Sequence, residues 1–521
     1  MNPIELGLFS SRIESVCDEM GAALRRAAFS PNIKDRLDFS CAVFDAGGEL
    51  TAQAARIPVH LGSMAYAMRS IVGALQWQPG DMVVVNDPYQ GGTHLPDVTV
   101  IAPVFVEQQL VAFVANRAHH ANIGASAPGS MPVSRSLHEE GVVIAPTHLL
   151  RAGQWDYRVL QQLAGVAESA LQADAAALAG PEAGDFSAQV SANRVGVIRL
   201  QDLIAHYGVA HYQSCVAALN EYGCRLALAS LQAIPAGEYA FTDYLDDDGA
   251  GTRRIPISAR VVVSAEGVVV DFAGTAAQVP GNVNCPLSVA AAAVFYVFRC
   301  LMPAQTPACA GTFRPISLQA PEGCLLNARF PAAVAAGNVE TSTRVVDVLL
   351  GALAQAMPDR IPAASHGSMN NLAMGALYDD GRRWDYYETM GGGMGASARG
   401  NGLSAIQTHM TNTLNTPVES LEAHYPLRVK RYGIRRGSGG AGRFAGGDGL
   451  VREIEFLQPA TVSLLTERRT LQPWGLQGGH AGAAGENRLN DQVLPGKMTL
   501  KVQPHDVLTV ATPGGGGWGS E

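Results

Sequence analysis

Two metal-capable side chains, Asp97 and His119, are placed in this 521-residue chain so that one turn would bring them together. Two apolar, β-branched runs, residues 98–105 and 110–115, flank a mainly polar segment, a pattern typical of an antiparallel hairpin. Residues equally far from the turn lie opposite each other in such a pair, and both side chains are eleven residues from Gln108. The spacing therefore predicts that a carboxylate and an imidazole emerge side by side.

A second imidazole, His94, precedes Asp97 by three residues and can reach the same point. Gly91 and Gly92 give the chain freedom ahead of it, and Pro96 restricts the link to Asp97. Two imidazoles and one carboxylate suit Zn²⁺, Mn²⁺ or Fe²⁺ and leave positions free for water or substrate, as a catalytic site requires. The simpler alternative is a set of polar loop residues satisfied by the backbone. Four further residues are near enough in sequence to orient the imidazoles through hydrogen bonds: Asp87, His120, Asn122 and Glu140.

Short motifs along the chain resemble those of the hydantoinase B/oxoprolinase family. In order they are SPNIKDRLDFSCAVFD, IPVHLGSM, NDPYQGGTHLPD, ANRAHHANIG, PGSMP, EGVVI, GNVNCP, GNVETS, YYETMGGGMGA, HMTNT, SGGAGRFAGGDG and PGGGGWG. The resemblance covers nearly the whole chain. That family supplies the metal-bearing subunit of ATP-dependent lactam and hydantoin hydrolases and of related ketone carboxylases.

The resemblance implies a reaction shared between two subunits. In the family scheme a separate actin-like, hydantoinase A-type subunit binds ATP and phosphorylates the amide oxygen of a cyclic amide. The metal-bearing subunit then directs water to the activated carbon. The site residues that the resemblance implies are His94, Asp97 and His119 for one Zn²⁺ or Mn²⁺, and Asp38, His120 and, less strongly, Asp35 for catalysis.

Contacts with the substrate are expected from two other parts of the chain. His60, in the motif IPVHLGSM, either lines the site or is an ordinary packed histidine. The glycine-rich loop 391–395 lies near His409 in sequence, and bare backbone at Gly392 and Gly393 would let a ligand approach closely.

Three alternative functions stay open at this point. In the carboxylase branch of the family, ATP activates bicarbonate and a ketone, and the metal aligns an enolate with CO₂. A non-haem iron oxygenase also uses two histidines and one carboxylate. A scaffold with a structural metal is the third alternative, and the free coordination positions argue against it.

Composition excludes several classes of partner. The formal charge is −9, from 46 acidic and 37 basic residues, so there is no electrostatic footprint for nucleic acid or a membrane surface. The longest apolar run, residues 287–298, is too short to span a bilayer and predicts a core helix. The N-terminus resembles no secretory signal, and the eight cysteines form no C-x-x-C pair, so we expect a cytoplasmic protein with reduced thiols.

An ATP site is not expected in this chain. Residues 437–442 match G-x-G-x-x-G, but no apolar helix follows, and G-x-x-x-x-G-K-[ST] does not occur. Charged residues are 16% and hydrophobic ones 47%, which suggests a surface covered by a partner. We therefore expect a hetero-oligomer with an ATP-binding subunit, α₂β₂ or larger.

The expected fold is α+β with three regions. Residues 1–155 form a mixed metal-site region with the central hairpin, opening with an amphipathic helix that ends before Pro31. Residues 156–236 have a helical period, and residues 237–521 are β-rich and glycine-rich with two core helices.

Overall fold

The metal-site region is built on one antiparallel sheet. The computed structural model describes residues 2–54, 57–125, 127–164, 181–378 and 383–520. The first strands are β1 (Phe39–Asp45), β2 (Leu50–Ala54), β3 (Met82–Val85), β4 (Asp97–Val106), β5 (Gln109–His119), β6 (Thr147–Arg151) and β7 (Gln154–Trp155). They form a seven-stranded sheet in the order β2-β1-β5-β4-β3-β6-β7. The predicted hairpin, β4 and β5, therefore lies at its centre.

The register of this hairpin is set by a β-bulge. Near the turn the pairing, continued unchanged, would put Asp97 opposite Ala118. A bulge between Val104 and Phe105 shifts the register by one residue, and Asp97 pairs with His119 as the sequence predicts. Because neighbouring residues of a strand point to opposite faces, this one-residue shift decides whether an imidazole or a methyl group lies beside the carboxylate.

Helices cover the sheet on both faces. They are α1 (Pro3–Ala27), α2 (Pro31–Lys34), α3 (Pro58–Gly73), α4 (Tyr157–Ala164), α5 (Pro181–Tyr207) and α6 (Val209–Leu231). The side chain of Asn2 caps α1 by accepting a hydrogen bond from the Glu5 amide, with Pro3 at the first helical position. The helix ends before Pro31, as predicted. Its apolar side packs with residues of α5 and the sheet in one buried cluster.

Three further sheets make up the C-terminal region. Their strands are β8 (Gly237–Asp247), β9 (Arg253–Ser264), β10 (Gly267–Asp271), β11 (Ile316–Gln319), β12 (Asn371–Leu377), β13 (Arg383–Glu388), β14 (Leu427–Arg435), β15 (Gly449–Phe456), β16 (Ala460–Leu465), β17 (Glu486–Leu489), β18 (Gln492–Leu494), β19 (Lys497–Val502) and β20 (Val507–Ala511). The orders within the described residues are β11-β10-β9-β8, β13-β12-β16-β19 and β14-β15-β20-β17-β18. With the helices, these sheets confirm the expected α+β class.

The expected core helix packs against both the N-terminal and the C-terminal regions of the chain. The C-terminal helices are α7 (Leu287–Leu301), α8 (Ala310–Phe313), α9 (Ser342–Leu353) and α10 (Val418–His424). Helix α7 packs against α3 so closely that a Cβ on Gly62 would lie 2.5 Å from Cα of Ala292. Both helices belong to the largest apolar cluster, which also takes in β9 and α9. No described helix is long and apolar enough to cross a bilayer.

The glycine-rich segments of the last third pack against one another. A Cβ on Gly393 would lie 1.9 Å from the carbonyl oxygen of Gly447, so a side chain there would force the backbones apart. After residues 437–442 the chain enters β15 rather than a helix. The G-x-G-x-x-G match therefore lacks the helix N-terminus that a dinucleotide site requires.

Candidate metal centre

His94, Asp97 and His119 meet at the open end of the β4–β5 hairpin. Their exposed fractions are 0%, 1% and 3%, and one ligand atom of each lies within 4.8 Å of the other two. The Nε2 atom of His94 is 3.3 Å from Oδ2 of Asp97. Among the described residues, no other group of three or more His, Cys, Asp or Glu side chains is placed to hold a metal ion. The structure thus brings together the three residues that the sequence singled out.

Polar contacts from the neighbouring Thr93 and from three other segments orient this set. The Thr93 hydroxyl donates to Oδ2 of Asp97 at 2.7 Å, and Nδ2 of Asn338 donates to the same oxygen at 3.3 Å. Nε2 of His60 also lies 3.3 Å from that oxygen. The amide Nδ2 of Asn32 is 3.2 Å from Nδ1 of His119. These contacts leave Oδ1 of the aspartate free to bind a cation.

Asn338 is delivered by a π-helical turn, Gly337–Thr341, directly ahead of α9. Such turns are uncommon and occur often at functional sites, because the extra residue changes the direction of the side chains. Gly337 lets the turn pack closely against the backbone of Asn284, since a Cβ at this glycine would lie 1.8 Å from the Asn284 carbonyl oxygen. Oδ1 of Asn338 has no partner and faces the site.

The electrostatics of the site favour an anionic aspartate beside a neutral His119. Burial alone would raise the pKa of Asp97, but the imidazoles of His94 and His60 hold it well below its usual value. Burial, with the nearby His94, keeps the pKa of His119 well below its usual value. Burial raises the pKa of Asp38, and the Arg36 guanidinium only partly opposes that shift. Neutral imidazole and ionised carboxylate are the states that bind metals, which Asp97 and His119 match. Burial lowers the pKa of His94, but Asp97 raises it above its usual value, so this imidazole gives up its proton when it binds a cation.

An aromatic and a guanidinium support His119 from one side. The rings of His119 and Tyr387 stack with centroids 4.7 Å apart and planes 1° from parallel. The guanidinium of Arg36 lies 4.9 Å from the same tyrosine ring and donates to the Tyr387 carbonyl oxygen at 2.8 Å. This stack fixes the plane of the imidazole, which a directional metal bond requires.

The enclosed space is small. A cavity of about 20 Å³ is lined by the three candidate metal ligands together with His60 and Asp38. It has room for about one water molecule. Thr389, Thr411 and Thr413 add hydroxyl groups to its wall. We call this space the inner cavity, and Asp38 is the predicted catalytic carboxylate that the structure places in it.

The residues present fit a divalent cation. Both ring nitrogens of His94, Nε2 of His119 and Oδ1 of Asp97 are buried without a hydrogen-bond partner. Buried polar atoms are nearly always paired, so four unpaired atoms on these three residues are a strong departure from the norm. An imidazole that gives Nε2 to a metal carries its proton on Nδ1.

Two predicted catalytic residues, His120 and Asp35, lie elsewhere. The His120 ring turns away from His119, its Nε2 2.9 Å from Oε1 of Gln189, and it packs on Phe186. Both residues line a larger cavity of about 700 Å³ on the other side of the site wall. We call this the outer cavity and define it by Phe29, Lys34, Asp35, His120, Trp384 and Tyr425.

Of the residues predicted to contact the substrate, one lies in the inner cavity and three lie elsewhere. His60 lies in the inner cavity against Asp97. His409 has its Nδ1 3.4 Å from the Tyr296 hydroxyl, and Gly392 and Gly393 pair with the backbone of Ile406 and Pro513. None of these last three residues is among those that line the inner cavity. Their contact with substrate stays a prediction.

Four residues were predicted, from their closeness in sequence, to orient the imidazoles. In the structure their hydrogen bonds stabilise other parts of the fold. Asp87 caps a short turn at Tyr89, and Glu140 accepts hydrogen bonds from Ser134 and the backbone at 334 and 335. Asn122 donates to Asp385, and His120 pairs with Gln189 as above. The actual supports, Asn32, Thr93 and Asn338, were missed. The motifs NIKDRLDFS, GGTHLPD and GNVETS that contain them were the available signal.

Comparisons with known proteins agree with this architecture. Residues 2–521 match the family model described as Hydantoinase B/oxoprolinase. The 5-oxoprolinase of Dictyostelium discoideum is 38% identical over 536 residues, covering 100% of this chain and 40% of that protein. An ATP-dependent caprolactamase from Pseudomonas jessenii superposes with a TM-score of 0.90 at 27% identity, covering 100% of this chain and 91% of that chain.

A more distant structure has the same fold. Nucleotide-free acetone carboxylase superposes with a TM-score of 0.86 at 17% identity, covering 99% of this chain and 76% of that chain. The chain spans about two fifths of the length of the curated 5-oxoprolinases that it matches. With a family model matched from residue 2 to residue 521, this chain belongs to the hydantoinase B/oxoprolinase family.

Proposed function

We propose that this chain is the metal-dependent subunit of an ATP-dependent cyclic-amide hydrolase that opens a hydantoin, 5-oxoproline or another lactam. The observation that carries the proposal is the buried set His94, Asp97 and His119, with its unpaired ligand atoms beside Asp38. The similarity to 5-oxoprolinases and to an ATP-dependent caprolactamase supports the reaction class.

A separate hydantoinase A-type subunit would supply the ATP chemistry. The chain carries no G-x-x-x-x-G-K-[ST] motif, although the caprolactamase that it resembles is ATP-dependent. The 5-oxoprolinases extend well beyond the region that matches this chain, which leaves room for a second activity in those longer proteins. An α₂β₂ or larger assembly is the arrangement that we expect.

His94, Asp97 and His119 would hold one Zn²⁺ or Mn²⁺ in this reaction. Such a cation supplies a Lewis acid, which polarises oxygen and makes water a better nucleophile near neutral pH. Thr93, Asn338 and His60 keep Asp97 in place, and Tyr387 with Asn32 keeps the plane of His119. The narrow inner cavity limits the water that can reach an activated intermediate.

Asp38 is the residue we assign to proton transfer. Its carboxylate lines the inner cavity and is 3.9 Å from the Arg36 guanidinium, which limits its movement. Water that attacks the activated amide carbon loses a proton, and a carboxylate within reach accepts it. The amide C–N bond then breaks and the nitrogen leaves protonated, which gives an acyl phosphate. A second water adds to the same carbon, and the oxygen that carried the phosphoryl group departs as phosphate and leaves a carboxylate.

An ¹⁸O experiment tests the proposed function. The chain is mixed with its ATP-binding partner, ATP and a cyclic amide in H₂¹⁸O, and the products are analysed by mass spectrometry. Hydrolysis puts two labels in the new carboxylate, one from each water that attacks the carbon, and leaves the substrate's own oxygen on phosphate. Bicarbonate-dependent loss of a ketone without opening of any lactam would assign the chain to carboxylation. Consumption of O₂ without ATP would assign it to oxygenation.

A further inference from the structure

The inner cavity is too small for the substrate that the proposed function requires. About 20 Å³ accommodates about one water molecule, whereas a cyclic amide brings a ring of several heavy atoms. The metal-binding side chains are at most 3% exposed. A substrate must therefore bind first in a neighbouring space that is connected to the inner cavity by a wall that can open.

The outer cavity shares three wall elements with the inner cavity. On the segment after α1, Lys34 and Asp35 line the outer cavity and Asp38 lines the inner one. At the end of β5, His120 lines the outer cavity and His119 the inner one. Each of these two elements thus contributes side chains to both spaces.

Strand β13 is the third shared element. Asp385 lines the outer cavity, and Tyr387 lines the inner one. Two residues of a strand span about 7 Å, so the wall is about one side chain thick. Asn32 stands in it, 3% exposed, with Nδ2 3.2 Å from Nδ1 of His119 and Oδ1 accepting from Arg36.

The size and lining of the outer cavity fit a neutral ring that contains a planar amide group. Its volume of about 700 Å³ lies within the roughly 300 to 1,000 Å³ typical of ligand sites. The rings of Trp384 and Tyr425 lie 5.7 Å apart at 54°, and Phe29 adds a half-exposed ring at the rim. Aromatic faces bind planar amides, while Asn122 and His120 offer groups for hydrogen bonds.

The charges of the outer cavity disfavour an anion. Its wall carries three carboxylates, Asp35, Asp185 and Asp385, against two permanent cations, Lys34 and Arg383. Arg383 is committed to Asp385, with Nη2 2.7 Å from Oδ2. A carboxylate on the ligand would therefore meet no surplus of positive charge, unlike in sites built for anions.

We propose that the outer cavity binds the cyclic amide before it reaches the metal centre, and that it selects neutral lactams and hydantoins over rings that bear a carboxylate. The inference rests on the proposed function, because it assumes that a cyclic amide is the substrate. The segment 31–38, which lines both cavities, is part of the wall between them.

Ligand-observed NMR on the full chain, without partner or ATP, tests this proposal. The probes are ε-caprolactam, hydantoin and 5-oxoproline, titrated separately. Ser420→Trp fills the outer cavity from α10, and Ala121→Trp fills it from the opposite wall. Ser70→Trp is the matched control, since that residue lies on α3 and lines a different cavity of about 400 Å³.

We expect the two neutral amides to bind the native chain and Ser70→Trp equally, and to bind both outer-cavity variants at least about tenfold more weakly. Metal content and melting temperature should be unchanged in all three variants, which separates a filled cavity from a damaged fold. Native-like binding in both outer-cavity variants, loss of binding in Ser70→Trp, or tighter binding of 5-oxoproline would overturn the proposal.

The two proposals fail in different ways. If Ser420→Trp blocks binding of the amide but native enzyme with its partner opens no ring, the proposed function is wrong and the binding site stands. If Ser420→Trp opens rings in H₂¹⁸O with the native kcat/KM, the hydrolase stands and the outer cavity is not its route.

Discussion

The contact from Asn338 to Asp97 should be worth about one order of magnitude in metal affinity. Asn338→Ala removes one of two hydrogen bonds that Oδ2 of Asp97 accepts, and the one from Thr93 remains. A hydrogen bond to a charged group contributes about 1.5 to 3 kcal/mol. At 3.3 Å this contact is longer than usual, so we expect the lower end of that range, or about a tenfold higher Kd.

The assay is a competition titration of the chelator-stripped chain with Zn²⁺ and a metal-binding indicator. Thr93→Val should weaken binding more than Asn338→Ala does, because its 2.7 Å hydrogen bond is the shorter. Thr343→Val is the matched control, since that hydroxyl, at the start of α9, donates to the Val339 carbonyl oxygen and not to Asp97. Equal Kd values for Asn338→Ala and Thr343→Val would refute the orienting role, as would tighter binding by Asn338→Ala.

Three more predictions follow from the same contacts. Asp38→Asn should retain the metal and lose turnover by roughly 10² to 10⁴, the usual contribution of a general base, measured with the partner and ATP. His119→Gln should lose the metal and His120→Gln should keep it, by elemental analysis, because the two rings face opposite sides of the wall. Burial and the nearby Glu467 raise the pKa of Glu340 from 4.5 to about 7. The folded state therefore holds its proton longer than the unfolded state, and stability falls as the pH rises from 4.5 to about 7. Glu340→Gln should reduce that slope by up to about 1.4 kcal/mol per pH unit in denaturant titrations.

Local pattern predicted the hairpin because strand alternation can be read from consecutive residues. The predicted pair of Asp97 with His119 depends on the bulge as well, because the turn at residues 107–108 alone would place Asp97 opposite Ala118. The same alternation also separates His119 from His120, since neighbours on a strand point to opposite faces. That signal was available, and applying it would have removed His120 from the inner cavity. The bulge between Val104 and Phe105 has no comparable marker in the sequence.

The supports of the site could not be predicted from proximity along the chain. Asn32 and Asn338 come from segments far from the hairpin, and tertiary packing alone brings them to His119 and Asp97. Residues close in sequence, such as Glu140, are instead used to tie the hairpin region to residues 334 and 335. One apolar cluster contains residues of all three predicted regions, so the core does not mark boundaries between them. The extents of these regions stay a prediction.

The most direct test of the central claim is anomalous X-ray diffraction at the zinc edge from crystals of the chain soaked in Zn²⁺. We expect one strong peak in the inner cavity, about 2.0 to 2.2 Å from one nitrogen each of His94 and His119 and one oxygen of Asp97. A peak elsewhere in the chain, or none at these three residues, would contradict the metal centre and the hydrolase mechanism built on it.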